Sequence, residues 1–329
     1  MVSNIIKFLF IVALGWSNAS WAVNCQSTAT PLENSICNSD ELNWLDYIVK
    51  DLYHKKLVEN DAIQVRHAYQ EWKNSLEKCT SASCLERAYY GGISQLADVD
   101  HDFNWEGLWW NRSAPHLSGD TIQFSNNTEW NVTLNIRAWA GRNQDTFWAE
   151  ARKQYGMALV KKIRNTSACQ LLLIPEKGGT LHVYSNAERG CQLSLPVGAW
   201  LDGNYEEADH DPRTTPTLVS LGIFKDTALD EAFRNLTGSD YQNFVDTANV
   251  YVPGDDLDNI GARVISMWVQ GAANTMTAII MYTPKGDIWA ARINPGPNGP
   301  ELHYYSTAGN DLHTMPRTLA SWKLRFLEL

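Results

Sequence analysis

The chain has 329 residues, 44% of them hydrophobic and 11% aromatic, a globular composition that excludes a disordered or fibrous protein. Its formal net charge is −10 at pH 7. An acidic surface argues against nucleic acid and anionic membranes as partners and would steer cationic ones inward, although acidity also serves simply to keep a protein soluble.

Residues 1–22 read as a signal peptide: Lys7, then the apolar run "FLFIVALGW", then "SWA" at Ser20–Ala22, with cleavage expected after Ala22. The run is too short to span a bilayer comfortably, and no later stretch approaches twenty apolar residues. "AVN" before Cys25 does not match a lipid-attachment site. The expectation is a soluble, Sec-exported protein of the periplasm, or one secreted beyond it, with no membrane span. All six cysteines lie beyond the cleavage point, in oxidising surroundings. Six cysteines allow fifteen pairings. Cys25–Cys37, Cys79–Cys84 and Cys169–Cys191 are favoured because each closes a local loop containing no other cysteine. No CxxC or HxxxH pair occurs, so neither a metal nor a cofactor is expected.

The spacing predicts a multi-domain protein of α and β parts. Residues 23–98 read as a disulfide-stapled helical bundle. Leu42, Leu45, Val49, Leu52 and Tyr53 share one helical face, capped by Asn38 with Glu41 three residues on. Ile63, Tyr69, Trp72 and Leu76 mark a second helix, and Leu85, Tyr89, Ile93 and Leu96 a third. Residues 99–205 alternate in short runs ("WNVTLNIRAW", "CQLLLI", "TLHVY") with frequent turn signals, the pattern of a small all-β barrel or sandwich. The polar stretch 206–216 reads as a linker. Residues 217–329 give helices, then the strands "RVISMWVQ", "TAIIMYT", "DIWAARI" and "LHYYST", then a helix beginning near Pro316: an α+β domain with an antiparallel sheet.

The order Cys25, "ENSIC", "DELNWLDYIVKDLY", Trp72, Cys79, Cys84-Leu85, Tyr89, Ile93, Leu96 resembles the LprI-type domain, a small exported helical module named for a bacterial lysozyme-inhibitor lipoprotein. The chain departs from it at Tyr69, where many members have Gln, and at Leu76, where they often have Arg. The last segment is faintly similar to Ivy-type lysozyme inhibitors, which share the order of helices and then antiparallel sheet. Their inhibitory loop carries cysteine and histidine, whereas the corresponding "VQGAANTMT" here carries neither.

The chemistry-bearing residues offer no catalytic set. Glu206, Glu207, Asp209, His210 and Asp211 read as a solvated linker. "PGDDLDNIG" lacks the spacing of a calcium loop and reads as a turn. No GxSxG elbow, HExxH helix or P-loop occurs. Trp105, Trp109, Trp110, Trp130, Trp139 and Trp148 are either core or platforms for sugar rings. Together with the resemblance, these features lead to the expectation of a non-enzymatic envelope protein that binds a basic protein, a lysozyme or a rival bacterium's wall-degrading toxin. It would act as an immunity-type inhibitor by covering the cleft of that peptidoglycan hydrolase. The contacts expected are Asp255, Asp256 and Asp258, as exposed acids, and the loop bearing Gln270, Asn274 and Thr275. The alternative is a glycan- or peptidoglycan-binding protein, or an envelope scaffold, without inhibitory activity.

Overall fold

The computed structural model describes residues 23, 25–26, 30–59, 62–163, 169–187, 191, 193, 195–297 and 299–327. The expected signal peptide lies outside them. The chain divides into two compact units, Met1–Leu96 and Ala97–Leu329.

The first unit holds α1 (Pro31–Cys37), α2 (Asp40–Glu59), α3 (Ala62–Leu76) and α4 (Ala82–Leu96). Helix α1 starts with a full capping box, Thr30 with Glu33, and Pro31 in its first turn. Helix α2 is capped by Ser39, whose hydroxyl accepts from the Leu42 N–H at 3.3 Å, and not by Asn38, whose own N–H returns to Asn34 O. Leu42, Leu45, Val49, Leu52 and Tyr53 are buried as their spacing requires, and so are Trp72, Leu76, Leu85, Tyr89, Ile93 and Leu96. Tyr69 is half-buried, and Ile63 is 74% exposed; Val65 takes the buried place in the first turns of α3. Disulfides Cys25–Cys37 and Cys79–Cys84 close α1 to the chain before it and α3 to α4. In a module this small such bridges supply stability that the core alone does not.

The second unit opens with β1 (Leu108–Asn111), β2 (Ser118–Ser125), β3 (Asn131–Ala140), β4 (Asn143–Gln154), β5 (Met157–Val160), β6 (Leu171–Glu176), β7 (Thr180–Ser185) and β8 (Gly203–Glu207). Each pairs antiparallel with the next, and β8 returns to β1 through Trp109↔Glu207, Trp110↔Glu206 and Asn111↔Tyr205, closing an eight-stranded barrel. Closure removes the exposed strand edges that an open sheet would leave. Alternate residues fill the interior, among them Trp109, Phe124, Leu134, Ile136, Leu173 and Val183. Cys169 and Cys191 are joined across the β6–β7 hairpin. Glu206 and Glu207 therefore stand on the closing strand and not in a linker. Beyond them Arg213 grips Asp211 through both carboxylate oxygens and donates to the carbonyls of Ala114, Pro115 and Ser118, holding residues 211–213 against the β1–β2 turn.

Next come α5 (Thr227–Thr237), a turn of 3₁₀ helix, α6 (Tyr241–Val245), β9 (Val250–Gly254), β10 (Arg263–Trp268), β11 (Thr277–Tyr282), β12 (Ile288–Gly296), β13 (Gly299–Ser306) and α7 (Arg317–Leu327). The strands form one antiparallel sheet in the order β13-β12-β11-β10-β9. One face packs Ile265, Met267, Ala278 and Ile280 against Phe233 and Phe244 of α5 and α6; the other packs Val264, Ile279 and Met281 against Leu319 and Trp322 of α7. Strand β9, absent from the sequence reading, is a short exposed edge ending in Pro253-Gly254. On the α5–α6 side Arg292, almost fully buried, donates to Asp240, which also accepts from the Tyr305 hydroxyl.

Candidate functional site

The six residues selected from sequence do not form one surface. In the loop after β9, Asp255 is exposed while Asp256 and Asp258 are half-buried and committed to backbone. Asp256 accepts from the N–H groups of Asp258, Ile260 and Ala262 at 2.9–3.1 Å, which folds the loop over itself. Asp258 caps α7, accepting from Arg317 N, Thr318 N and the Thr318 hydroxyl at 2.7–3.0 Å. Burial alone would raise the Asp258 carboxyl, but these donors and the Arg317 charge outweigh it and hold the carboxyl below its ordinary range. Gln270 is a tie between the sheet and the barrel: its Nε2 donates to Val197 O at 2.5 Å and its carbonyl accepts from Arg142 N at 3.0 Å. Gly141 makes that approach possible, at φ +59°, because a Cβ there would lie 2.5 Å from Gln270 O. Asn274 and Thr275 are exposed on the β10–β11 turn.

Two of the six, Asp255 and Asn274, line a cleft of about 530 Å³ between α7 and the β9–β11 end of the sheet. Its floor includes Val264, Ser266 and Trp268, and Trp322 and Arg325 stand on the helical wall.

A larger groove, about 740 Å³, opens in the helical unit among α1, α3 and α4. Helix α2 contributes Asp46, which is buried in the groove wall, accepts from the Tyr89 hydroxyl at 3.1 Å and is ion-paired with Lys50. A row of rings runs beside it: Tyr53 to Tyr69 at 4.3 Å, Tyr69 to Trp72 at 5.2 Å and Trp72 to Tyr89 at 5.3 Å between centroids. Burial, with the Asp46 charge adding to it, pushes the Tyr69 phenol up to about 12, so it keeps its proton. Glu33 and the exposed Glu77 stand among the lining residues, against the single base Lys73. Tyr53, Trp72 and Tyr89 are buried and Tyr69 is half-buried, so Tyr69 and the exposed Glu77 are the groups placed to meet an ammonium or guanidinium group. Tyr69 and Leu76 both line this groove.

The sequence reading missed Asp46. A signal existed, because an acid among Leu42, Leu45, Val49 and Leu52 stands on the apolar face of α2, where a buried carboxylate must find partners.

The tryptophans divide. Trp105 and Trp109 are core. Trp110 and Trp139 are half-buried and meet edge to face at 5.9 Å, with the Arg137 guanidinium 5.6 Å from the Trp139 ring. Trp130 and Trp148 are exposed at 63% and 48%. Among the described residues no group of three or more His, Cys, Asp or Glu side chains is arranged to hold a metal ion, and no helix is long and apolar enough to cross a membrane. No protein-family model, no curated protein and no solved structure matches the chain.

Proposed function

We propose that this is an exported envelope protein that binds a basic peptidoglycan hydrolase, a lysozyme or a wall-degrading toxin, and inhibits it by covering its catalytic cleft. The groove of the helical unit carries the reading, since the exposed Glu77 and the half-buried Tyr69 that line it suit a lysine or arginine side chain projecting from such a target. The LprI-type resemblance of the same helices and the net charge of −10 support it. In this reading the helical bundle, the barrel and the α+β part act as three domains, the first supplying the main contact. The cleft bearing Asp255 and Asn274 is a second place where the target is met. Electrostatic steering would speed docking and make it sensitive to salt.

The test is turbidity loss of a peptidoglycan suspension with the mature protein, alone and with a panel of lysozymes and wall-degrading toxins. Protection that titrates to a stoichiometric endpoint with one of them is the expected result. Glu77→Gln, at an exposed groove position, should then weaken inhibition by about two- to fivefold, the worth of one exposed charge pair. Asp255→Asn reports on the second cleft, whereas substitutions at Asp256 or Asp258 would test folding. A second reading, glycan binding on the barrel, is favoured by the exposed Trp130 and Trp148. It predicts co-sedimentation with purified peptidoglycan in high salt, where the inhibitor reading predicts none.

A further inference from the structure

One end of the barrel is covered by Leu193 and residues 195–201. Leu193, Leu195, Ala199 and Leu201 pack down on the barrel core, while Val197 and Trp200 stay on the outside at 80% and 44% exposed. The fastening is polar. Asn111, at the end of β1, directs its Nδ2 toward Trp200 O and Asp202 O, both at 3.3 Å and sharing one of its two hydrogens, and the Asp202 carboxylate accepts from Ser185 N at 2.7 Å at the end of β7. Between these lies Asp120 of β2, 1% exposed. Its Oδ1 accepts from Asn111 Nδ2 at 2.8 Å, and its Oδ2 is in hydrogen-bond contact with the Tyr205 hydroxyl. That hydroxyl also lies 2.8 Å from Leu201 O in the cap.

Counting hydrogens decides the state of this cluster. A tyrosine hydroxyl carries one hydrogen, and both a carboxylate and a peptide carbonyl can only accept. With Asp120 ionised, Tyr205 could satisfy one of its two oxygen neighbours and not the other. With Asp120 protonated, Oδ2–H donates to the Tyr205 oxygen, Tyr205 O–H donates to Leu201 O, and Oδ1 keeps the Asn111 donor. We infer that Asp120 is a neutral carboxylic acid that fastens the barrel cap through Tyr205, and that loss of its proton unfastens the cap.

The surroundings agree. Burial pushes the Asp120 carboxyl up to about 7, the nearby Asp202 charge adding to it, while the hydrogen bonds that Tyr205 and Asn111 would give the ionised form and the charge of Arg213 pull it back. Those are the titratable and charged groups facing it: Tyr205 from β8, whose own phenol is held well above its ordinary value, Asp202 from the cap, and Arg213 beyond β8, already paired with Asp211. The sign follows from linkage. The closed cap holds the proton up to about 7, whereas the solvated acid releases it near 3.8, so closure weakens as pH rises between those values and changes no further above them.

Two measurements test this on the intact protein. In the first, the Asp120 carboxyl carbon is assigned sequentially by NMR and titrated. A midpoint near 7 is expected, and a midpoint below about 5, as for an ordinary aspartate, would overturn the proposal. The second follows hydrogen exchange of the amides at 195 and 197–202, corrected for intrinsic base catalysis. Cap opening should rise by up to about tenfold per pH unit from pH 4.5 to 7 and then level off. In Asp120→Asn, which keeps a neutral donor at that position, it should stay flat. Opening in the wild-type protein that does not change across this range would overturn the fastening role even if the acid itself titrates high.

Discussion

Two adjacent glycines on α4 do opposite work. The indole of Trp72 lies flat on Gly92, so a Cβ there would sit 2.1 Å from its Cδ1, whereas a Cβ on Gly91 would meet nothing within 4 Å. The Trp72 Nε1 is buried and finds no hydrogen-bond partner among the described residues, so the ring is held by packing alone. Gly92→Ala must push the ring out of its seat and should cost about 1–3 kcal/mol of stability. Gly91→Ala should be neutral or stabilise by up to about 1 kcal/mol, the helix-propensity difference. Thermal unfolding of the two variants, followed by circular dichroism, checks the pair, and equal effects would show that Trp72 does not rest on α4. If the helical groove binds a hydrolase as proposed, Gly92→Ala should weaken that binding more than its stability loss alone explains, because Trp72 also lines the groove.

At the scale of elements, α7 depends on a residue nearly sixty positions earlier. Asp258 supplies the side-chain acceptors for its first turn, and Asp256 holds the loop that delivers Asp258. Asp258→Ala should cost about 1–2 kcal/mol as a lost N-cap. It should also loosen the helical wall of the Asp255–Asn274 cleft, seen as faster hydrogen exchange in 317–322 with little change in the barrel strands. The pH sign is opposite to that of Asp120. Asp258 has a folded pKa below its unfolded value of 3.8, so its stabilisation is present above that value and disappears as pH falls through the lower one. The two aspartates would therefore tilt stability in different directions within one chain, the first weakening it from about pH 4 upward, the second from there downward.

For the molecule as a whole, the covalent bridges are shared unevenly. Two of the three disulfides lie in the smaller unit, closing loops with sequence separations of 12 and 5, and one, with separation 22, lies in the larger. On the loop-entropy account they stabilise by roughly 2 to 3.5 kcal/mol, rising with loop length. A reductant should therefore lower the unfolding temperature of the helical unit more than that of the barrel-containing unit, giving two separated transitions in calorimetry. A single transition shifted as a whole would mean that the units unfold as one.

What the sequence determined by itself was local. Helical spacing placed α2, α3 and α4, alternation placed most of the strands, and the short loops between cysteines were enough to pair all six, because each of these features depends on residues near one another in the chain. The exposure of Asp255 and Asn274 was legible in the same way, since loop polarity is a local property. What only the tertiary structure decided was which distant groups meet. Glu206 and Glu207 look like linker acids until β8 reaches β1, and Asp258 looks like a turn residue until α7 arrives to be capped. Strand β9 is too short and too exposed to show a pattern, and it becomes a strand by pairing with β10. Asp46 and Asp120 acquire their chemistry from Tyr89 and Tyr205, 43 and 85 residues away, since the free energy of a buried carboxyl is set by what surrounds it in space.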